Sequence, residues 1–122
     1  MKLNSCAVYT AIVTPLEATG APDLGGFEAL LRRQEQAGNG VIVLGSTGES
    51  LAMSLQTRKA VVSAAMKLKL QIPVMVGVAG FQLEDCQEWI RWCSSQGAQG
   101  FLLVTPIYAK PGRVGQEKWL PP

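Results

Sequence analysis

Residues 40–50 read Gly-Val-Ile-Val-Leu-Gly-Ser-Thr-Gly-Glu-Ser, an apolar run that leads into a turn of glycines and hydroxyls. The apolar half is rich in β-branched residues, which is typical of a strand buried on both faces of a parallel sheet. In the turn, Gly45 and Gly48 allow positive φ angles and the close approach of a ligand to the backbone. The hydroxyl and N–H groups of Ser46 and Thr47 are therefore candidates to bind a small anion. A strand-to-helix turn that uses its glycines for geometry alone is the alternative interpretation.

Strand-like and helical patterns alternate along the rest of the chain. The predicted strands are 9–13, 40–44, 74–78 and 101–104, and the predicted helices are 24–37, 55–70 and 83–96. Asp23 and Ser54 are the expected N-caps of the first two helices, and Gly38 is the expected C-cap of the first. The alternation predicts right-handed βαβ units and one α/β domain over residues 1–122, with a parallel sheet covered by helices. Two architectures fit, a small doubly wound sheet or the first four units of an eight-fold β/α (TIM) barrel.

In both architectures ligands bind where the carboxyl ends of the strands meet. The loops at those ends are 14–15, 45–50, 77–80 and 105–115. In the last of them, Tyr108 and Lys110 lie on a proline-stiffened segment, where they can act as a proton relay and an anion anchor. A surface loop whose tyrosine packs its ring on a neighbour is the alternative interpretation.

Composition narrows the class of protein. The chain is 48% apolar and 16% charged, with a net charge of +2 and both signs mixed, which is typical of a globular protein. Without a basic block there is no electrostatic reason to expect a nucleic acid or an anionic membrane as partner. No apolar run approaches the roughly 20 residues that span a bilayer, and the amino end does not resemble a targeting segment. We expect a soluble, cytoplasmic protein.

Cysteine and histidine usage limits the chemistry. Cys86 and Cys93 lie seven positions apart on a predicted helix, so they are about two turns apart and too distant for a disulfide or a shared metal. With Cys6, they are expected to be buried free thiols in a reducing cytosol. The sequence contains no histidine, which excludes Ser-His and Cys-His nucleophile pairs and the commonest zinc ligand. Any chemistry must use hydroxyls, carboxylates, lysine or tyrosine, and no metal is expected.

Four motifs together carry a resemblance to a known family. They are Val-Thr-Pro at 13–15, Gly-Ser-Thr-Gly-Glu-Ser at 45–50, Pro-Val-Met-Val-Gly-Val at 73–78, and Thr-Pro-Ile-Tyr-Ala-Lys-Pro at 105–111 followed by Gly115. In this order and at these intervals, they resemble the pyruvate-dependent class I aldolases, the superfamily of dihydrodipicolinate synthase and N-acetylneuraminate lyase. The Tyr-x-Lys-Pro ending is similar to the synthase branch.

The resemblance implies a β/α barrel that condenses pyruvate with L-aspartate 4-semialdehyde in lysine and diaminopimelate biosynthesis, without a cofactor. Pyruvate would form an imine with a lysine, and the derived enamine would attack the aldehyde. Thr47 would bind the pyruvate carboxylate. Ser46 and Tyr108 would belong to a hydroxyl proton relay, with Tyr108 reaching into a neighbouring subunit of a homo-oligomer. Ser46 stands where the family usually has threonine, so it keeps the hydroxyl and loses a methyl that restrains the rotamer.

The chain also departs from the family. A full barrel needs roughly 250 residues, and the imine lysine is expected on the sixth strand, beyond residue 122. We therefore expect a truncated amino-terminal half that is inactive alone. Of the six lysines only Lys110 lies near the predicted site, and it is interpreted as a solvated loop cation. Leu55, Arg58 and Phe81 replace residues that some members place near an inhibitory lysine, so no feedback by lysine is expected.

Three alternatives remain open at this point. One is another pyruvate aldolase, of the N-acetylneuraminate lyase type. The second is a non-catalytic half-barrel that associates with another copy through the open edges of its sheet. The third is a small nucleotide-binding domain, which is disfavoured because neither Gly-x-Gly-x-x-Gly nor a phosphate-loop motif is present.

Overall fold

The computed structural model describes residues 2–106 and 109–120. In this part of the chain, strands alternate with helices. The strands are β1 (Tyr9–Ala11), β2 (Gly40–Val43), β3 (Val74–Val78) and β4 (Gly100–Leu103), and the helices are α1 (Leu24–Ala37), α2 (Leu55–Lys67), α3 (Leu83–Gln96) and α4 (Arg113–Trp119). Short 3₁₀ turns cover Leu3–Ser5 and Ser50–Ala52.

The strands form one parallel sheet in the order β1-β2-β3-β4. A doubly wound sheet reverses its strand order at a switch point, whereas a barrel adds each new strand on the same side of the preceding one. The spatial order here equals the chain order throughout, so the doubly wound interpretation is wrong and the chain forms half of a β/α barrel.

The core lies between the sheet and the helices. Val41 pairs with Val74 and Val43 with Val76, which aligns their side chains on one face of the sheet. All four are buried, in one cluster with apolar residues of α1, α2 and α3. The helix residues of this cluster are Phe27, Leu31, Val61, Val62, Ala65, Cys86, Trp89 and Cys93. Burial of this apolar surface is the main force that attaches the helices to the sheet.

The helix ends follow the predicted capping chemistry. The Asp23 carboxylate accepts a hydrogen bond from the Gly26 N–H at 3.0 Å, and the Ser54 hydroxyl accepts one from the Thr57 N–H at 3.1 Å. Gly38 ends α1 in the left-handed region at φ +72°, where a side chain is strained. These three predictions are confirmed, as are the bounds of α1 and α3.

The opposite face of the sheet, which we call the inner face, is covered only at its amino end. There the Tyr9 hydroxyl donates a hydrogen bond to the Leu3 carbonyl. A side chain at Gly40 would begin 2.5 Å from the Tyr9 ring, and one at Gly100 would begin 2.7 Å from a Leu3 methyl. Tyr9 and Leu3 therefore fill the space that these two glycines leave. Towards the carboxyl end, the inner-face residues are exposed, with Val13 at 50%, Leu102 at 45% and Val104 at 39%.

Candidate functional site

The turn at residues 44–50, which we call the hydroxyl turn, follows β2 at the carboxyl edge of the sheet. Its backbone is closed by hydrogen bonds from the Gly48 N–H to the Gly45 carbonyl at 3.1 Å and from the Glu49 N–H to the Ser46 carbonyl at 3.0 Å. The 3₁₀ turn Ser50–Ala52 continues it towards α2. The fold thus positions Ser46 and Thr47 at the edge where barrel proteins bind their ligands.

Positive φ angles in the hydroxyl turn do not fall on its glycines. Leu44 has φ +56° and Glu49 has φ +59°, whereas Gly45 and Gly48 are outside the left-handed region. Gly45 and Gly48 would allow positive φ angles, but neither residue adopts one. Gly48 is needed for another reason, since a Cβ there would lie 3.0 Å from the Leu44 nitrogen and 3.2 Å from the Thr14 hydroxyl. Gly45 has open space where its Cβ would be, which suits the approach of a ligand.

Two neighbouring strands hold the hydroxyl turn in place. Beyond the end of β1, the Thr14 hydroxyl donates a buried hydrogen bond of 2.9 Å to the Gly48 carbonyl. From β3, Gly77 packs against Leu44 so closely that a Cβ on it would lie 2.8 Å from the Gly45 nitrogen. The sequence analysis assigned Thr14 only to the end of a strand. In an extended segment, residues two apart lie on the same face, so its position two residues after the apolar Ile12 was a signal that Thr14 is buried.

Ser46 and Thr47 are both exposed in the hydroxyl turn. Among the described residues, neither their N–H groups nor their hydroxyls have a hydrogen-bond partner. The turn therefore presents four donors from two adjacent residues, a set that suits a carboxylate. Tyr108, the other predicted relay residue, lies outside the described residues. Lys110 is exposed on its loop.

A cavity of about 390 Å³ lies between the 3₁₀ turn Ser50–Ala52, α2 and α3. The three residues at which the sequence departs from the family near an inhibitory lysine, Leu55, Arg58 and Phe81, all line it. Arg58 stacks on Trp89 at 5.1 Å from the ring centroid, and Trp89 stacks on Trp92 at 5.6 Å. The wall of this cavity is thus aromatic and carries charges of both signs, since Asp85 and Glu88 line it together with Arg58 and Lys59. The absence of lysine feedback stays a prediction.

The three cysteines are free thiols. Cys86 and Cys93 are buried as expected, but Cys6 is only half-buried. Burial raises the pKa of Cys93 to about 12 and also raises the pKa of Cys86, so both thiols stay protonated near neutral pH and neither is a nucleophile. Within the ranges 2–106 and 109–120, no cluster of three or more His, Cys, Asp or Glu side chains could hold a metal ion. In the same ranges, no helix is long and apolar enough to cross a membrane.

Fold and turn together define a protein of the β/α-barrel class with an exposed, hydroxyl-rich turn after its second strand. The chain belongs to the dihydrodipicolinate synthetase family, whose model matches residues 4–120. It is 49% identical over 112 residues to the 4-hydroxy-tetrahydrodipicolinate synthase of Francisella philomiragia, covering 92% of this chain and 38% of that protein.

Solved structures of the family agree with this assignment. The dihydrodipicolinate synthase of Thermotoga maritima is 38% identical, with a TM-score of 0.84 over 92% of this chain and 38% of that one. The chloride-inhibited dihydrodipicolinate synthase of Acinetobacter baumannii, complexed with pyruvate, is 26% identical, with a TM-score of 0.88 over 94% of this chain and 40% of that one. The chain therefore spans about two fifths of the length of the relatives that it matches.

Proposed function

We propose that this chain supplies the carboxylate-binding part of a pyruvate-dependent class I aldolase site, of the 4-hydroxy-tetrahydrodipicolinate synthase type. The observation that carries the proposal is the hydroxyl turn. It presents exposed Ser46 and Thr47 with donors that have no partner among the described residues, at the ligand-binding edge of a half-barrel. Membership of the family supports pyruvate as the ligand, and a relative of known structure is complexed with pyruvate.

The roles that we propose within the site follow the resemblance to the family, and hydrogen-bonding chemistry supports that of Thr47. A carboxylate accepts several hydrogen bonds, so the hydroxyl of Thr47 and the adjacent N–H groups bind the carboxylate of pyruvate. Ser46 and Tyr108 relay protons between the reacting atoms and solvent, with Tyr108 contributed by a neighbouring subunit of a homo-oligomer. In the reaction, pyruvate loses water to form an imine with a lysine, the imine tautomerises to an enamine, and the enamine carbon attacks L-aspartate 4-semialdehyde.

The 122-residue chain does not carry the imine lysine in our proposal. A nucleophilic lysine requires a setting that keeps its amine partly unprotonated, usually through burial. Lys110, the lysine nearest the expected site in sequence, is exposed. The chain by itself is therefore inactive in condensation, although it retains the carboxylate-binding turn. The activity belongs to lysine and diaminopimelate biosynthesis in the cytoplasm and uses no cofactor.

The proposal is tested by trapping and by titration. We expect intact-mass spectrometry to show no added mass after incubation with pyruvate and borohydride. A reduced pyruvate adduct that disappears in Lys110→Ala would overturn the assignment of a missing nucleophile. For the binding part, we expect pyruvate to shift the ¹⁵N amide signals of Ser46 and Thr47, and acetone, which lacks the carboxylate, to leave them unchanged. Equal shifts with both compounds, or none, would overturn the carboxylate site.

A second candidate function is that of a non-catalytic half-barrel that associates with another copy. The exposed inner-face residues Val13, Leu102 and Val104 favour it, because apolar sheet surface is usually covered. This candidate predicts a dimer in sedimentation velocity and its loss in Leu102→Lys. A chain that stays monomeric at all concentrations would exclude it. A lyase of the N-acetylneuraminate type would be distinguished by the aldehyde that the complete site accepts.

A further inference from the structure

We propose that Thr14 is a positioning residue, whose hydroxyl holds the hydroxyl turn in the conformation that binds a carboxylate. This inference rests on the proposed function, because it assigns a role to Thr14 in the same site. Thr14 does not itself touch the ligand. It acts through the Gly48 carbonyl, which lies one residue beyond Thr47.

The contact between Thr14 and the turn is buried and close. Thr14 is only 4% exposed, and its hydroxyl donates to the Gly48 carbonyl at 2.9 Å across 34 residues of sequence. A Cβ at Gly48 would lie 3.2 Å from that hydroxyl, so the backbone of the turn rests directly on the Thr14 side chain. Gly48 is also buried, so water does not readily replace the hydroxyl as a donor.

The hydrogen bond fixes the peptide unit next to the two binding residues. The N–H group of Gly48 also donates a hydrogen bond of 3.1 Å to the Gly45 carbonyl. With the Gly48 carbonyl held by Thr14, both ends of this residue are fixed, and Ser46 and Thr47 lie within the closed segment. Without the hydroxyl, the buried carbonyl lacks a donor, and the turn is expected to rotate towards water. The donors of Ser46 and Thr47 then no longer converge on one carboxylate.

The chain offers a matched control in Thr10. Its hydroxyl donates a part-buried hydrogen bond of 2.8 Å to the Gln34 side chain, from within β1, whereas Thr14 lies beyond the carboxyl end of that strand. Thr10→Val and Thr14→Val each remove one hydroxyl and keep the shape of the side chain. Thr14→Ser keeps the hydroxyl and removes the methyl.

The experiment measures pyruvate affinity and amide shifts for the wild type and the three variants. We expect Thr14→Val to weaken pyruvate binding by about fivefold or more, the effect of one lost buried hydrogen bond. We expect it also to move the Ser46 and Thr47 amide signals before pyruvate is added. Thr14→Ser and Thr10→Val are expected to stay within about twofold of the wild-type affinity, since neither removes the bond to Gly48.

Each outcome decides between positioning and general stability. Wild-type affinity in Thr14→Val, or equal weakening in Thr10→Val, would overturn the proposal. If wild-type protein does not respond to pyruvate, the proposed function fails, and the ligand-free amide shifts still test the positioning role of Thr14. If Thr14→Val does not fold, Thr14→Ser carries the test, and a folded serine variant that has lost about fivefold or more in affinity would overturn the proposal.

Discussion

Replacing Gly77 by alanine tests whether close packing between β3 and the hydroxyl turn is essential. The added Cβ would overlap the carbonyl oxygen of Leu44 and lie 2.7 Å from its carbonyl carbon and 2.8 Å from the Gly45 nitrogen. Ordinary contacts begin at about 3.4 Å, so backbone atoms must move by half an ångström or more. Leu44 is 1% exposed and already has φ +56°, so it has little freedom to move.

The expected cost of Gly77→Ala is about 3 kcal/mol, the upper end for overpacking, because the clash is with backbone atoms rather than with a flexible side chain. For a chain of this size, that corresponds to a fall in Tm of about 12 °C, at roughly 4 °C per kcal/mol. Gly77 is outside the left-handed region, so the clash is the only backbone penalty of the substitution.

Gly45→Ala is the matched control. It changes a neighbouring glycine of the same contact, but nothing lies within 4 Å of its added Cβ and its φ is not left-handed. We expect its free energy of unfolding to stay within about 0.5 kcal/mol of the wild type, or to rise slightly through the lower entropy of the unfolded chain. The assay is urea unfolding followed by tryptophan fluorescence, since the Trp89 indole donates to the Gly77 carbonyl at 3.0 Å. Equal midpoints for the two variants would refute the packing argument.

Two further predictions concern stability. Asp23→Ala removes the acceptor for the Gly26 N–H at the start of α1 and should cost about 1 kcal/mol in urea unfolding, whereas a loss below about 0.3 kcal/mol would contradict the capping role. Burial raises the pKa of Cys93 from 9.0 to about 12, so the unfolded thiol ionises first, and the stability that the protonated thiol supplies below pH 9 is lost as pH rises towards 12. Above pH 9, wild-type stability should fall more steeply than that of Cys93→Ala, by up to about 1.4 kcal/mol per pH unit, and parallel pH profiles would exclude this origin.

Local sequence signals predicted the helices well. Asp23 and Ser54 are N-caps, Gly38 ends α1, and both α1 and α3 begin and end where the pattern placed them. These limits depend on side chains within a few residues of each helix end, which makes them readable from sequence. The predicted end of α2 at residue 70 is wrong, because the helix ends at Lys67. Strand ends were predicted less accurately. The predicted end of β1 at residue 13 is wrong, because the strand ends at Ala11. Where a strand ends depends on its partner strand, which is distant in sequence.

The pattern of apolar and polar residues did not predict the contacts between segments that are far apart in the sequence. The alternation of strands and helices fits both a doubly wound sheet and a barrel, and only the observed strand order decides between them. The left-handed residues of the turn are Leu44 and Glu49, which no local propensity favours, and Leu44 lies against Gly77 of the neighbouring strand. The family resemblance predicted roles in the site for Ser46 and Thr47 but gave none to Thr14.

The hydroxyl turn is closed by its own backbone hydrogen bonds and is also held from the strands on both sides of β2. Thr14 holds its carbonyl from the β1 side, and Gly77 packs against Leu44 from β3. Gly77 is fixed in turn by the Trp89 indole of α3. Precise placement of exposed binding groups requires such supporting contacts. In an unsupported loop, the entropy lost when the loop becomes ordered would offset part of the free energy of binding. Substitutions at Thr14 or Gly77, neither of which presents a group to the ligand, should therefore weaken carboxylate binding in this chain, whereas loss of a distant cap such as Asp23 should lower stability alone.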